Sequence, residues 1–152
     1  MTTKTCKILY GKEKISVKVP EENLIGVVKP RDAKGESDET AVLRRALANP
    51  IGLPPINELA KAGQKIAIVV DDNTRPTPTA RMLPFILEEL EACGVKDQDI
   101  TIVFANGSHR LHTEEEKIRL LGGEHILKRF GISDHDPHDV ANLRYLGKTS
   151  RG

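Results

Sequence analysis

Two unbroken β-branched runs, residues 65–71 (KIAIVVD) and 100–105 (ITIVFA), constrain this chain more than any other feature. A strand with one wetted face alternates apolar and polar residues. Runs without alternation are expected where both faces are covered, as in a parallel sheet. The segment between them carries Leu83, Ile86, Leu87, Leu90 and Cys93 at helical spacing and stops at Gly94. Strand, loop, helix, strand is a βαβ unit, whose crossover is right-handed. Pro84 lies inside the helical stretch, lacks a donor N–H and crowds the preceding turn, so the helix is expected to start late or loosen there.

The flanking segments complete an α/β reading: a Rossmann-like parallel sheet with flanking helices, plus an N-terminal β-hairpin. Residues 5–19 alternate as Cys6, Ile8 and Tyr10, turn at Gly11-Lys12, alternate again as Ile15, Val17 and Val19, and end at Pro20. Residues 24–28 form a short apolar run and 31–37 a polar loop. Ser37 or Asp38 can cap a helix to about Ala48, with Val42, Leu43, Ala46 and Leu47 on one face and Asn49-Pro50 as the stop. A short helix is expected over about 56–61, ending at Gly63. After the second strand a polar loop, 106–113, leads to a helix at about 114–121 and a shorter one at 124–130. Residues 142–147 are a further candidate strand, and the chain stops in KTSRG.

The 152 residues suffice for one domain with a real core. With 23 Lys plus Arg against 22 Asp plus Glu, the chain lacks the basic excess of a nucleic-acid binder. Three Phe, two Tyr and no Trp give little base-stacking surface. Cys6 and Cys93 match no zinc spacing and read as free thiols of a reducing compartment. The polar start has no secretory h-region, and no apolar run is long enough to span a bilayer. A cytoplasmic protein with neither nucleic acid nor membrane as partner is the expectation.

Ligands of open parallel sheets bind at the carboxyl ends of the strands. Two loops of unusual composition leave those ends. The first is Asp71-Asp72-Asn73-Thr74-Arg75-Pro76-Thr77-Pro78. Its prolines restrict the backbone, Arg75 offers a planar fork for a carboxylate or phosphate, and the next helix start adds N–H donors. A plain turn with Asp72 and Arg75 paired on the surface competes with that reading. The second is Asn106-Gly107-Ser108-His109-Arg110-Leu111-His112-Thr113. Gly107 permits a tight turn, His109 could be a general base, and Arg110 could hold an anion or pair with a carboxylate. A hydrogen-bonded loop histidine is the competing reading. Thr113 with Glu116 is a capping-box pattern.

The other histidines carry less. His109 and His112 could form a metal pair only if the loop put them on one face. His125 lies in a short helix as a packing or solvated residue. His135 and His138 stand in SDHDPHD, where a surface loop is the better reading and a structural metal the rival, without a Cys or HExxH partner. Acids 114–116 suit the first turn of a helix.

At the two loops the sequence resembles the nickel-dependent lactate racemase family. The carrying residues are 71–78 and Gly107-Ser108-His109-Arg110 with Thr113 after it, in order and each after a strand. The resemblance covers essentially the whole chain. It implies that residues 1–152 are a single α/β domain, the amino-terminal domain of a longer two-domain enzyme that interconverts stereoisomers of a small 2-hydroxy acid. It further implies a nickel pincer nucleotide, a pyridinium-3,5-bisthiocarboxylic acid mononucleotide, that takes up hydride from the substrate and returns it. His109 matches one of two acid/base histidines; Asp72, Asn73, Thr74 and Arg75 match the cofactor-contacting segment, and Arg75 is also a candidate anchor for the substrate carboxylate. The second acid/base histidine, the cofactor-bound lysine and the nickel-ligating histidine have no match here, which leaves them to a carboxyl-terminal domain. No metal ligand is assigned to this chain, and the chain alone is expected to be inactive. A non-catalytic nucleotide- or anion-binding α/β module is the alternative.

Overall fold

The computed structural model describes residues 2–151, in two compact units, Met1–Glu36 and Ser37–Gly152. The first unit is the expected hairpin. Strand β1 (Thr3–Tyr10) runs antiparallel to β2 (Glu13–Pro20), with Thr3 opposite Pro20 and Tyr10 opposite Glu13. Gly11 turns the chain at φ +62°, a conformation that costs glycine no Cβ clash. A single 3₁₀ turn, Glu21–Asn23, follows.

The second unit contains α1 (Glu39–Ala48), α2 (Ile56–Leu59), β3 (Ile66–Val70), α3 (Thr79–Ala92), β4 (Ile100–Phe104), α4 (Glu114–Leu121), α5 (Glu124–Arg129) and β5 (Gly131–Asp134). Asp38 caps α1 by accepting from the Ala41 N–H at 3.0 Å. The three strands form a parallel sheet in the order β3-β4-β5, with Ile66 opposite Ile100 and Thr101 opposite Gly131. Leu83, Leu87 and Leu90 of α3, Leu121 of α4, Ile126 of α5 and Phe130 bury themselves with Ile100, Ile102 and Phe104 of the central strand. Each such side chain contributes about 1.5–3 kcal/mol relative to exposure. No helix among the described residues is long and apolar enough to cross a membrane. Both cysteines are free.

Three expectations are corrected. The apolar runs are not covered on both faces: Ala67, Val69 and Thr101 are exposed, while Val70, Ile100, Ile102 and Phe104 are buried. The helices cover one face of the sheet, and β-branching on the other face reflects strand propensity rather than burial. Residues 142–147 are not a strand. The third strand is β5, whose sequence GISD has too little apolar content to be read as one. It owes its place to the sheet: a Cβ on Gly131 would stand 3.1 Å from Thr101 Oγ1, so the absent side chain lets β5 approach β4. Finally, α3 neither starts late nor breaks at Pro84. It begins at Thr79 and continues through the proline, which sits on the exposed side while Leu83, Leu87 and Leu90 hold the opposite side in the core.

That arrangement has a cost. Pro84 cannot donate to the Ala80 carbonyl one turn back. Pro84→Ala should therefore stabilise the protein by about 1 kcal/mol or more, read as a higher urea midpoint at unchanged slope.

Candidate active site

The loops after β3, β4 and β5 leave the same edge of the sheet because the strands are parallel. Ala105 N–H bonds to the Val70 carbonyl at 2.8 Å and His135 N–H to the Phe104 carbonyl at 3.0 Å, so the ladder continues into the loops. The residues that leave the three strands are thereby fixed before any side chain acts.

The first loop closes on itself. Thr77 Oγ1 donates to the Asp71 carboxylate, and the Arg75 N–H bonds to the Asp72 carbonyl at 3.2 Å. Asp72 is buried, 5 % exposed. One of its oxygens, Oδ1, accepts from the Thr74 N–H at 3.0 Å and the Thr74 hydroxyl at 2.6 Å. The other, Oδ2, meets His109 Nδ1 of the second loop. The hydrogen bond from His109, then those from Thr74, hold the Asp72 carboxyl far below the usual carboxylate range against a smaller opposing effect of burial. His109 is half exposed and lines the hollows on either side of it, so Nε2 is the ring nitrogen left for a ligand. A surface pair of Asp72 with Arg75 does not form; the partner of Asp72 is His109.

Beside this pair lies an open cleft of about 310 Å³, lined by Asp71, Asp72, Arg75, Asn106, Ser108 and His109 among others. Arg75 is exposed and makes no ion pair among the described residues. Asn73 and Thr74 are differently employed. Asn73 Nδ2 donates to Glu116 at 2.9 Å, and the Thr74 hydroxyl is given to Asp72. Of the four residues expected to contact a cofactor, Arg75 alone presents an uncommitted charged group. The start of α3 is also largely taken: the N–H groups of Thr79, Arg81 and Met82 bond to the Thr77 and Pro78 carbonyls.

Arg110 resolves in favour of a carboxylate. Its guanidinium grips Glu116 with two bonds of 2.7 and 2.8 Å, and the capping box of Thr113 with Glu116 is present on the same helix start. The Arg110 hydrogen bond, followed by the Thr113 N–H, draws the Glu116 carboxyl far below its ordinary range.

Sequence reasoning missed a buried cluster behind these loops. Asp134, the last residue of β5, accepts from His112 Nδ1 at 2.6 Å, Asn106 Nδ2 at 3.2 Å and Lys117 Nζ at 2.5 Å. Burial works to raise its pKa, but the bonds from Lys117, His112 and Asn106 outweigh it and the net direction is down. His112 packs its ring on Phe104 at 4.4 Å between centroids, and its Nε2 accepts the Asn73 N–H at 3.1 Å. With both nitrogens engaged and a side chain 1 % exposed, His112 is no partner for His109 in metal binding. His138 borders the outer side of the second loop, and its N–H bonds to Asp136 in a local turn. His125 is exposed. Among the described residues no group of three His, Cys, Asp or Glu could hold a metal ion. In the sequence Asp134 stands only as part of SDHDPHD, which reads as a surface loop; its buried place requires knowing that GISD is a strand.

The depressed carboxyls give a signed pH dependence. Stability contributed by Asp72 is fully present above its ordinary value of 3.8 and is lost as pH falls through the depressed folded value. The urea midpoint should therefore drop progressively below about pH 4, and more shallowly in Asp72→Asn.

A sequence profile described as the lactate racemase N-terminal domain matches residues 10–152. The lactate racemase of Thermoanaerobacterium thermosaccharolyticum is 30 % identical over 148 residues, which is 96 % of this chain and 34 % of that protein. The lactate racemase of Lactiplantibacillus plantarum is 30 % identical over 145 residues, 94 % of this chain and 34 % of that protein. The solved lactate racemase apoprotein from T. thermosaccharolyticum superposes with a TM-score of 0.76 at 29 % identity, covering 98 % of this chain and 34 % of that one. The chain thus spans about a third of the length of these relatives. Matched along nearly its whole length in both sequence and fold, the chain belongs to the lactate racemase N-terminal domain family.

Proposed function

We propose that residues 1–152 form the amino-terminal domain of a two-domain racemase of small 2-hydroxy acids, with lactate the leading substrate, and that His109 is its acid/base group on one face. The observation that carries this reading is the half-exposed His109 held at Nδ1 by a buried, strongly acidic Asp72. With Nδ1–H donating to the carboxylate, the Nε2 lone pair is directed to exchange. Nε2 takes the substrate hydroxyl proton, and the imidazolium so formed stands against a carboxylate that stays ionised. Reprotonation of the product reverses the transfer. The opposite stereochemical face needs a second group, which this reading assigns to the carboxyl-terminal domain.

The donor chemistry of the cleft fits an anionic nucleotide with hydroxyl groups. Arg75 supplies an exposed guanidinium, and the buried Asn106 Oδ1 beside it accepts no hydrogen bond among the described residues. When bound, a nickel pincer nucleotide supplies a reversible acceptor for the hydrogen at the substrate C2. Arg75 would hold an anionic group, a cofactor phosphate or the substrate carboxylate, while Asp72, Asn73 and Thr74 fix the loop on which Arg75 stands. The cofactor-bound lysine and the nickel-ligating histidine belong, in this reading, to the remainder of the enzyme, and the chain alone does not racemise. A binding module without catalysis has the same Arg75 cleft. It predicts tight nucleotide binding by this chain alone, whereas half a cleft predicts negligible binding by calorimetric titration.

In the complete enzyme containing this chain, His109→Ala should lower racemisation by at least ~10²-fold, measured by chiral separation of D- and L-lactate, with the folded circular-dichroism spectrum retained and the melting temperature lowered because buried Asp72 loses its partner. Asp72→Asn should lose a comparable or smaller factor, because it acts through His109. Its amide N–H₂ faces His109 Nδ1 and favours the tautomer that carries hydrogen on Nε2, which can no longer accept. Wild-type turnover in His109→Ala would remove this residue from the mechanism.

A further inference from the structure

We propose that His112 is a positioning residue, which as the neutral Nδ1–H tautomer latches the Asp72-to-Arg75 loop to the end of β5. The proposal rests on the acid/base reading of His109. The tautomer follows from the partners. The backbone N–H of Asn73 can only donate, so His112 Nε2 accepts and carries no proton. The remaining proton is on Nδ1, donated to Asp134. Tilted ring packing against the fully buried Phe104 restrains the imidazole plane. A single side chain therefore joins the loop after β3, the loop after β4 and the last residue of β5.

The latch is placed where it matters. Asn73 is flanked by Asp72, which orients His109, and Thr74, which fixes Asp72. The Asn73 side chain is held separately by Glu116, whose other bonds go to Arg110 and the Thr113 N–H. The backbone of the loop, in contrast, meets the rest of the sheet edge through His112 Nε2. Removing that acceptor leaves a part-buried N–H without its partner and frees Asp72 to shift relative to His109. Second-sphere groups that orient a reactive imidazole act in this manner without touching substrate.

Two substitutions separate the halves of the latch. In His112→Gln the carboxamide oxygen reaches the position of Nε2 and can accept from Asn73. In His112→Asn the amide reaches only the position of Nδ1 and can donate to Asp134. In the complete enzyme, His112→Asn should lower kcat about tenfold or more with KM little changed, and His112→Gln should recover most of the loss. In a His109→Ala background, His112→Asn should cost nothing further, because its effect passes through His109. Equal turnover of both variants and wild type, or a loss that adds fully to that of His109→Ala, would overturn the proposal. The imidazole nitrogen NMR spectrum of the unsubstituted chain provides an independent reading that survives poor folding of either variant. Nε2 of His112 should appear unprotonated and Nδ1 protonated; a protonated Nε2 would end the proposal whatever the kinetics. If instead His109→Ala racemises normally while the tautomer is as expected, the acid/base reading fails and the latch stands as a structural feature.

Discussion

A buried carboxylate at the end of β5 sets the terms for everything at this edge of the sheet. An ion removed from water must find donors, or the cost of desolvation is several kcal/mol. Asp134 finds three, from two different segments: Asn106 and His112 of the second loop and Lys117 of α4. Meeting that need brings the second loop and the start of α4 onto the third strand. His112 extends the demand to the first loop. The parallel sheet puts the loops on one edge, and the carboxylate makes them a single surface.

The polar residues of that surface divide into those that hold and those that are held out. Arg110, Glu116, Thr113 and Asn73 are bound to one another at the start of α4. Asp72 is turned toward His109, with Thr74 bound to its other oxygen. Arg75 and one face of His109 remain open to the cleft. A charge-rich loop composition had suggested many ligand contacts. Pairing within the protein leaves a cation and an imidazole, which is a smaller but better oriented set. Groups so oriented need little reorganisation when a charge develops beside them, the condition under which electrostatic stabilisation is most effective.

Much of this was legible in the residues. The β-branched runs, the helical spacing of Leu83, Leu87 and Leu90, the Asp38 cap and the Thr113–Glu116 box are local signals, and each appears where expected. Relatives of known name and fold agree with the α/β reading. The failures share one character. Strand β5 has a single large apolar residue, Ile132, and is recruited by the space that Gly131 leaves against Thr101. Pro84 is tolerated because the leucines of α3 are already anchored. His112 carries no local mark that tells it from His109 three residues earlier. One becomes a buried strut, the other a half-exposed candidate base.

What the sequence by itself determined is therefore the set of local elements and the two loops that could carry chemistry, because periodicity, capping and turn formation depend on neighbours a few residues apart. What only the tertiary structure decided is which polar groups are consumed by one another. Asp72 with His109, Asn73 with His112, and His112 with Asp134 are 37, 39 and 22 residues apart in the chain. Those pairings exist because parallel strands bring distant loops to one edge, where burial obliges each donor and acceptor to find the other.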